Sequence, residues 1–198
     1  MHEKASRMKE WFESWFDTKY YHILYKNRDY SEAEYFIKNL FSKLEMPNST
    51  RVLDLACGKG RHSIFVNSLG FDTTGVDLSE QSIETAKKSE NENLRFFQHD
   101  MRDVIPDKKY ELVLNLFTSF GYFNDKRENE KVIESIYSYL SDNGKLVIDF
   151  FNAKKVVVDM MAEEVKEIEG IRFKISKAVE NGCVVKRIEF EDNGQNFS

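Results

Sequence analysis

The sequence predicts an α/β fold, a doubly wound and mostly parallel sheet, from three observations. Apolar runs at 51–56, 72–76 and 94–98 alternate with helical patterns at 61–69 and 79–89, the βαβαβ order of a parallel sheet. The first run passes into its helix through Cys57-Gly58-Lys59-Gly60, a tight glycine turn. All three runs end in a glycine-rich or acidic tip, and ligands of open α/β sheets bind at such carboxyl ends.

The N-terminal stretch places Met8, Trp11, Phe12, Trp15 and Phe16 at helical spacing. Its polar side mixes Glu10, Glu13 and Asp17 with Lys9, which argues against a membrane-surface role. Residues 20–28 follow, rich in groups that stack or donate hydrogen bonds. Ser31 with Glu34 then reads as a capping box for a helix whose apolar side is Ala33, Phe36, Ile37, Leu40, Phe41 and Leu44, with Pro47 at its end.

The first strand sets Val52-Leu53 and Leu55-Ala56 around one carboxylate, Asp54. A strand that turns through glycine into a helix leaves backbone N–H groups facing open space, and Gly58 and Gly60 remove the side chains that would block a ligand there. The helix carries Ile64, Phe65 and Leu69 on its apolar side. The second strand ends in Asp77, where a carboxylate can accept from the two hydroxyls of a ribose. Ser79 can cap the next helix. The third strand ends in Asp100-Met101, a carboxylate and an apolar side chain suited to an adenine amino group and ring face.

Residues 111–116 form the fourth strand, tipped by the aromatic-rich run 117–123. Asp125 with Glu128 opens a helix with Val132, Ile133, Ile136, Tyr137 and Leu140 on one face. Asn143-Gly144 turns the chain into a fifth strand over 145–150. A helix with Val157, Met160, Met161, Val165 and Ile168 on one side is expected next, then a hairpin of strands 172–178 and 184–190 joined at Asn181-Gly182. The sequence closes in a polar stretch, 192–196.

The chain's 198 residues suit a single domain, with helices over 1–47, a ligand-binding core over 50–150 and a helix plus hairpin over 151–191. The formal charge of −5 gives no excess of positive charge for a nucleic-acid partner. Cys57 and Cys183 fit neither a metal site nor a disulfide framework, so no metal is expected. With no leader pattern and no membrane-length apolar run, we expect a cytoplasmic protein.

The pattern Asp54-x-Ala56-x-Gly58-x-Gly60, then Val76-Asp77, then Asp100-Met101, resembles the class I S-adenosylmethionine-dependent methyltransferases. The segments VLDLACGKGRHS, FFQHDMRD and LFTSFGYF are similar to a generically named bacterial subgroup, and the resemblance covers about residues 10 to 190. It implies a Rossmann-like doubly wound sheet with an N-terminal helical lid. The cofactor would be S-adenosyl-L-methionine, held by Asp54, Ala56, Gly58, Gly60, Asp77, Leu78, Asp100, Met101, Asn115 and Phe117. Tyr25 or Arg28 would reach it from the lid; the alternatives are a core position for Tyr25 and a surface ion pair for Arg28.

The resemblance also places the tip of the fourth strand where methyl and acceptor meet. That tip lacks the Pro-Pro-aromatic pattern of amino-directed nucleic-acid enzymes, so a small-molecule acceptor is expected. If the acceptor is a hydroxyl it needs a base, and no spacing selects among His22, His62 and Tyr122.

The ending departs from the family. A further helix and two strands are missing after Phe190, so the fold's last strands are absent. Three arrangements fit: the hairpin replaces them, the chain is part of a longer protein, or a homodimer or partner covers the open sheet edge. We expect the hairpin to be the family's antiparallel insertion over the active site. Two other functional classes compete. A nicotinamide-dependent oxidoreductase would share the glycine turn, but the spacing is not Gly-x-Gly-x-x-Gly. A non-catalytic, methyltransferase-like scaffold would bind cofactor, or nothing, without turnover and support a partner subunit.

Overall fold

The structure, a computed structural model, describes residues 10–26, 30–106, 108–123 and 125–198. In chain order its elements are α1 (Trp11–Trp15), α2 (Lys19–Leu24), α3 (Tyr30–Leu44), β1 (Arg51–Leu55), α4 (Arg61–Ser68), β2 (Asp72–Asp77) and α5 (Glu80–Ala86). Then come β3 (Leu94–Gln98), β4 (Tyr110–Asn115), α6 (Lys126–Tyr139), β5 (Leu140–Ile148), α7 (Ala153–Asp159), β6 (Glu163–Ile168), β7 (Ile171–Glu180), β8 (Cys183–Asp192) and β9 (Gln195–Phe197). The chain divides into two compact units: the described residues of Met1–Thr18 with those of Asn27–Phe150, and Lys19–Lys26 with Phe151–Ser198.

The first unit holds a five-stranded sheet in the order β3-β2-β1-β4-β5, with every pair parallel. Parallel strands are buried on both faces, which is why β1 and β4 read as nearly continuous apolar runs. On one face Leu53, Leu55, Val76 and Val113 pack against Val132, Ile136 and Tyr139 of α6 and Phe12 of α1. On the other face Val52, Leu112 and Leu114 pack against Ile37 of α3 and Val66 of α4. α3 is thus a layer of this unit. It begins at Tyr30, so Ser31 lies in its first turn and not at the cap. Ile83 and Ala86 of α5 cover Leu94 and Phe96 of β3. Ser79 caps α5 by accepting from Ser82 N (3.0 Å), and Asp125 caps α6 by accepting from Arg127 N (2.9 Å).

β5 starts earlier than the sequence suggests. Its pairing with β4 begins at Tyr110↔Leu140 and shifts register before Leu112↔Lys145. Asn143 has a φ of +64°, so Asn143-Gly144 sits in an irregularity within the strand instead of preceding it.

The second unit is a four-stranded antiparallel sheet in the order β6-β7-β8-β9. The expected hairpin is its centre, with Asn181 and Gly182 at φ +51° and +79°. Two further turns of the same kind flank it, Glu169-Gly170 and Asn193-Gly194. They correct two expectations. The helix ends at Asp159, and Val165 and Ile168 belong to strand β6, because the Glu169-Gly170 turn folds that segment onto β7. The polar ending is strand β9. α2 packs on this sheet: the Tyr20 ring lies 4.4 Å from Phe190 and 4.9 Å from Phe197. Tyr20 Oη and Lys19 Nζ each donate to Asp192 Oδ2 at 2.9 Å. Among the described residues no helix is long and apolar enough to cross a membrane.

Candidate functional site

The carboxyl end of the first unit's sheet gathers most of the residues singled out in the sequence. β1 leaves its strand at Ala56, which takes φ +64° itself, and Cys57 N–H donates to Val76 O (2.9 Å), fastening the turn to β2. Gly58 follows at φ +56° and Gly60 at φ +80°, and α4 starts with no side chain capping its first turn.

The two glycines do different work. A side-chain carbon at Gly58 would meet nothing within 4 Å, so this backbone faces open space. At Gly60 it would stand 2.7 Å from the Phe96 ring, and at Gly75 it would stand 2.5 Å from the same ring. Gly60 therefore makes room for Phe96, which corrects the expectation that both glycines clear a ligand's path. Phe96 carries no signal of its own in the sequence; only its register beside Gly75 exposes the slot.

Asp77 at the end of β2 holds the turn from the side. Its Oδ2 accepts from Gly58 N–H (2.8 Å) and its Oδ1 from Ser79 N–H (2.9 Å). Burial pushes its carboxyl above the usual carboxylate range, helped by the Asp17 carboxylate. Asp17 follows α1 and accepts from the Ser79 hydroxyl. The neighbouring Leu78 packs against the apolar cluster under α6, and its carbonyl accepts from Gln98 Nε2 (2.8 Å). Asp54 braces the turn from beneath: it is buried, and Ser63 Oγ of α4 donates to its Oδ2 at 2.5 Å. Burial raises its pKa to about 6. Its carboxylate is directed at α4 and not at the open space above Gly58.

At the end of β3, Asp100 is gripped by Arg102. Arg102 Nε donates to Oδ1 (2.9 Å) and Nη2 to Oδ2 (2.5 Å). The buried guanidinium also donates to Glu128 Oε2 (3.0 Å) and lies over the Phe123 ring at 4.4 Å. Met101 is partly buried against the same cluster as Leu78. No sequence pattern pointed to Arg102. Beside β1, Asn115 Nδ2 donates to Leu55 O (3.0 Å), while its buried Oδ1 has no partner among the described residues. Phe117 takes φ +58° and turns its ring to the head of α4, 4.8 Å from His62 and 4.2 Å from the Arg61 guanidinium. Tyr122 packs among Trp11, Phe12 and Phe16.

His62 is a poor base. It is buried, its Nε2 has no partner among the described residues, and burial with the adjacent Arg61 lowers its pKa to about 3. Tyr25 lies in the second unit, where its hydroxyl accepts from Lys186 Nζ (2.6 Å). His22 lies there too, in α2, 5.4 Å from Tyr21. Arg28 and Met8 lie outside the described residues. No group of three or more metal-ligating side chains is found among those described.

The sequence and the fold both have counterparts among known proteins. Residues 47–193 match the family described as a methyltransferase domain. The chain belongs to that family. A relative within reach is the dTDP-3-amino-3,4,6-trideoxy-alpha-D-glucopyranose N,N-dimethyltransferase of Streptomyces venezuelae, 30% identical over 125 residues, which are 63% of this chain and 52% of that protein. The glycine/sarcosine N-methyltransferase of Aphanothece halophytica is 32% identical over 127 residues, 62% of this chain and 46% of that protein. The chain thus spans about half the length of the curated relatives it matches. A crystal structure of an S-adenosylmethionine-dependent methyltransferase from Clostridium acetobutylicum superposes with a TM-score of 0.70 at 20% identity, covering 90% of this chain and 75% of that one. That likeness is one of fold, and the methyltransferase family has the sheet and the flanking helices expected from the sequence.

Proposed function

We propose that this chain is the S-adenosylmethionine-binding core of a methyltransferase acting on a small-molecule acceptor, with a nucleophilic nitrogen as the acceptor atom. The observation that carries the reading is Gly58, a left-handed residue facing open space whose N–H is anchored by Asp77. The residues fit the cofactor. Each Asp77 oxygen accepts one backbone bond and keeps acceptor capacity for a ribose hydroxyl. The unpartnered Asn115 Oδ1 is a second acceptor at the same sheet end. Ala56, Gly58, Gly60, Asp77, Leu78, Asp100, Met101, Asn115 and Phe117 make the proposed contact set, with Asp54 acting through the turn it braces. Tyr25, whose hydroxyl Lys186 occupies, is left out of it.

S-adenosylmethionine, when bound, supplies a methyl group made electrophilic by its sulfonium, so no covalent enzyme intermediate is needed. The chain's own part is to hold two reactants in line, a contribution that reaches effective molarities of about 10⁵ M or more. The aromatic residues after β4 shape that space and keep water from it. An amine that binds as the free base needs no strong base from the protein, which agrees with a buried His62 held neutral. The nitrogen acceptor and the small-molecule class are supported by the names of the amino-sugar and glycine/sarcosine relatives.

Calorimetric titration with S-adenosylhomocysteine, with NADH in parallel, tests the reading. A Kd on the order of micromolar for the first and none for the second is expected. Asp77→Ala should weaken S-adenosylhomocysteine binding by more than about tenfold, since it strips the ligand and Gly58 of one shared acceptor. Binding of NADH alone, or an unchanged affinity in Asp77→Ala, would overturn the assignment.

A further inference from the structure

Beyond the residues assigned above, we infer that Asp149 is the positioning residue that locks the tip of β4 against the glycine turn. The inference rests on the cofactor reading of that turn. Phe117 and Thr118 stand next to each other at φ +58° and +61°. Two successive left-handed residues without glycine are disfavoured, and a β-branched threonine more so than most. Such a turn persists only where its surroundings hold it.

Asp149, the residue after β5, supplies that hold from three atoms. Its carboxylate Oδ2 accepts from Phe117 N–H (3.0 Å), and its carbonyl accepts from Thr118 N–H (3.2 Å). Its own N–H donates to Asn115 O (2.9 Å), extending the β4–β5 ladder. Ser119 Oγ closes the turn on Leu116 O (2.9 Å). The consequence reaches the glycine turn through one ring. Left-handed Phe117 sends its side chain to the head of α4, onto His62 (4.8 Å) and Arg61 (4.2 Å), the two residues directly after Gly60. Phe36 of α3 joins the same cluster, 5.9 Å from Phe117 and 6.2 Å from His62. Removing the carboxylate leaves the strained turn without its bond to Phe117 N–H and held from Asp149 by main-chain bonds alone, so it loosens and eases the ring off α4. Asp149 touches no ligand in this scheme; it acts through Phe117.

The experiment compares Asp149→Ala, Asp149→Asn and Asp149→Ala with Thr118→Gly. Amide hydrogen exchange reads the tip in the protein alone, and calorimetry reads S-adenosylhomocysteine affinity. In Asp149→Ala the exchange of the Phe117 and Thr118 amides should speed up by about tenfold or more, the weight of a charge-assisted hydrogen bond, while β1 amides keep their rates. Affinity should fall by about tenfold in the same variant. Asp149→Asn keeps an acceptor oxygen and should recover most of both. Thr118→Gly adopts the left-handed backbone freely and should restore part of the affinity lost in Asp149→Ala.

Unchanged exchange at Phe117 in Asp149→Ala overturns the proposal, as does an affinity that falls without any recovery in the glycine double variant. Wild-type protein that fails to bind S-adenosylhomocysteine would sink the cofactor reading, and the exchange comparison would still decide the role of Asp149.

Discussion

Gly58 and Gly60 lie two residues apart and both have left-handed backbones, yet they fail differently when given a side chain. Gly58→Val should cost about 1–2 kcal/mol of stability for the left-handed backbone and leave the fold intact, because the new atoms enter open space. It should also abolish S-adenosylhomocysteine binding. Gly60→Ala should do its damage in the core: its methyl collides with the Phe96 ring, at a cost of about 1–3 kcal/mol beyond backbone strain. Thermal melts and titrations of the two variants read this contrast. Equal losses of stability would mean that the glycines are interchangeable. The sequence made the pair visible but not their division of labour, since the register that lays Phe96 beside Gly75 forms only in the sheet.

Between elements, Arg102 makes a branched polar tie at the sheet's carboxyl end. It joins the tip of β3 to the first turn of α6 through Asp100 and Glu128, and it rests on Phe123. Arg102→Met removes the buried guanidinium from between Asp100 and Glu128, and Glu128 keeps Lys131 Nζ at 2.6 Å. The loss of the guanidinium should cost about 3–5 kcal/mol in urea unfolding. Arg102→Lys should rescue little, because an ammonium cannot serve Asp100 in fork geometry while reaching Glu128. A cost below about 1 kcal/mol would place the network among dispensable surface pairs.

Elements were legible in the sequence where burial set their period. The first four parallel strands follow from their apolar runs, whereas on α6 only Val132 and Ile136 of the expected apolar face are buried: Ile133 and Tyr137 are exposed, and Leu140 opens β5. The segment 163–168 was misread because its apolar residues also fit a helical spacing, while the Glu169-Gly170 turn that makes it a strand lacks the asparagine of a strong hairpin signal. Asn193-Gly194 has that signal, but only three residues follow it into β9.

Over the whole molecule, two buried ionisable groups set opposite arms of a pH profile. Asp54 titrates near 6 in the folded chain, above an exposed carboxylate, so the folded state favours its neutral form. Its contribution is present in full below the unfolded pKa and is lost as pH rises through about 6. His62 runs the other way: held neutral down to about 3, it contributes above the usual imidazole range and loses that contribution as pH falls. The two windows overlap between about pH 4 and about pH 6, so the two contributions offset each other there. Asp54→Asn should remove the opposing loss, so that Tm rises more steeply with pH across that range than in the unsubstituted chain, by about 4 °C or more. An unaltered slope would show that Asp54 is not the titrating group.

The methyltransferase family and the parallel sheet were readable because they rest on local motifs and apolar period. Arg102, Asp149 and the Phe96 slot were not, because each depends on partners brought together by the fold from distant positions.

The docking of α2 on the last strands has a consequence for how the polypeptide is made. Tyr20 and its acceptor Asp192 are separated by 172 positions. Residues 19–26 therefore leave the ribosome long before the surface that buries them exists, whereas β1, β2 and β3 are synthesised close together. Until Asp192 has been synthesised, a helix carrying two tyrosines has no seat.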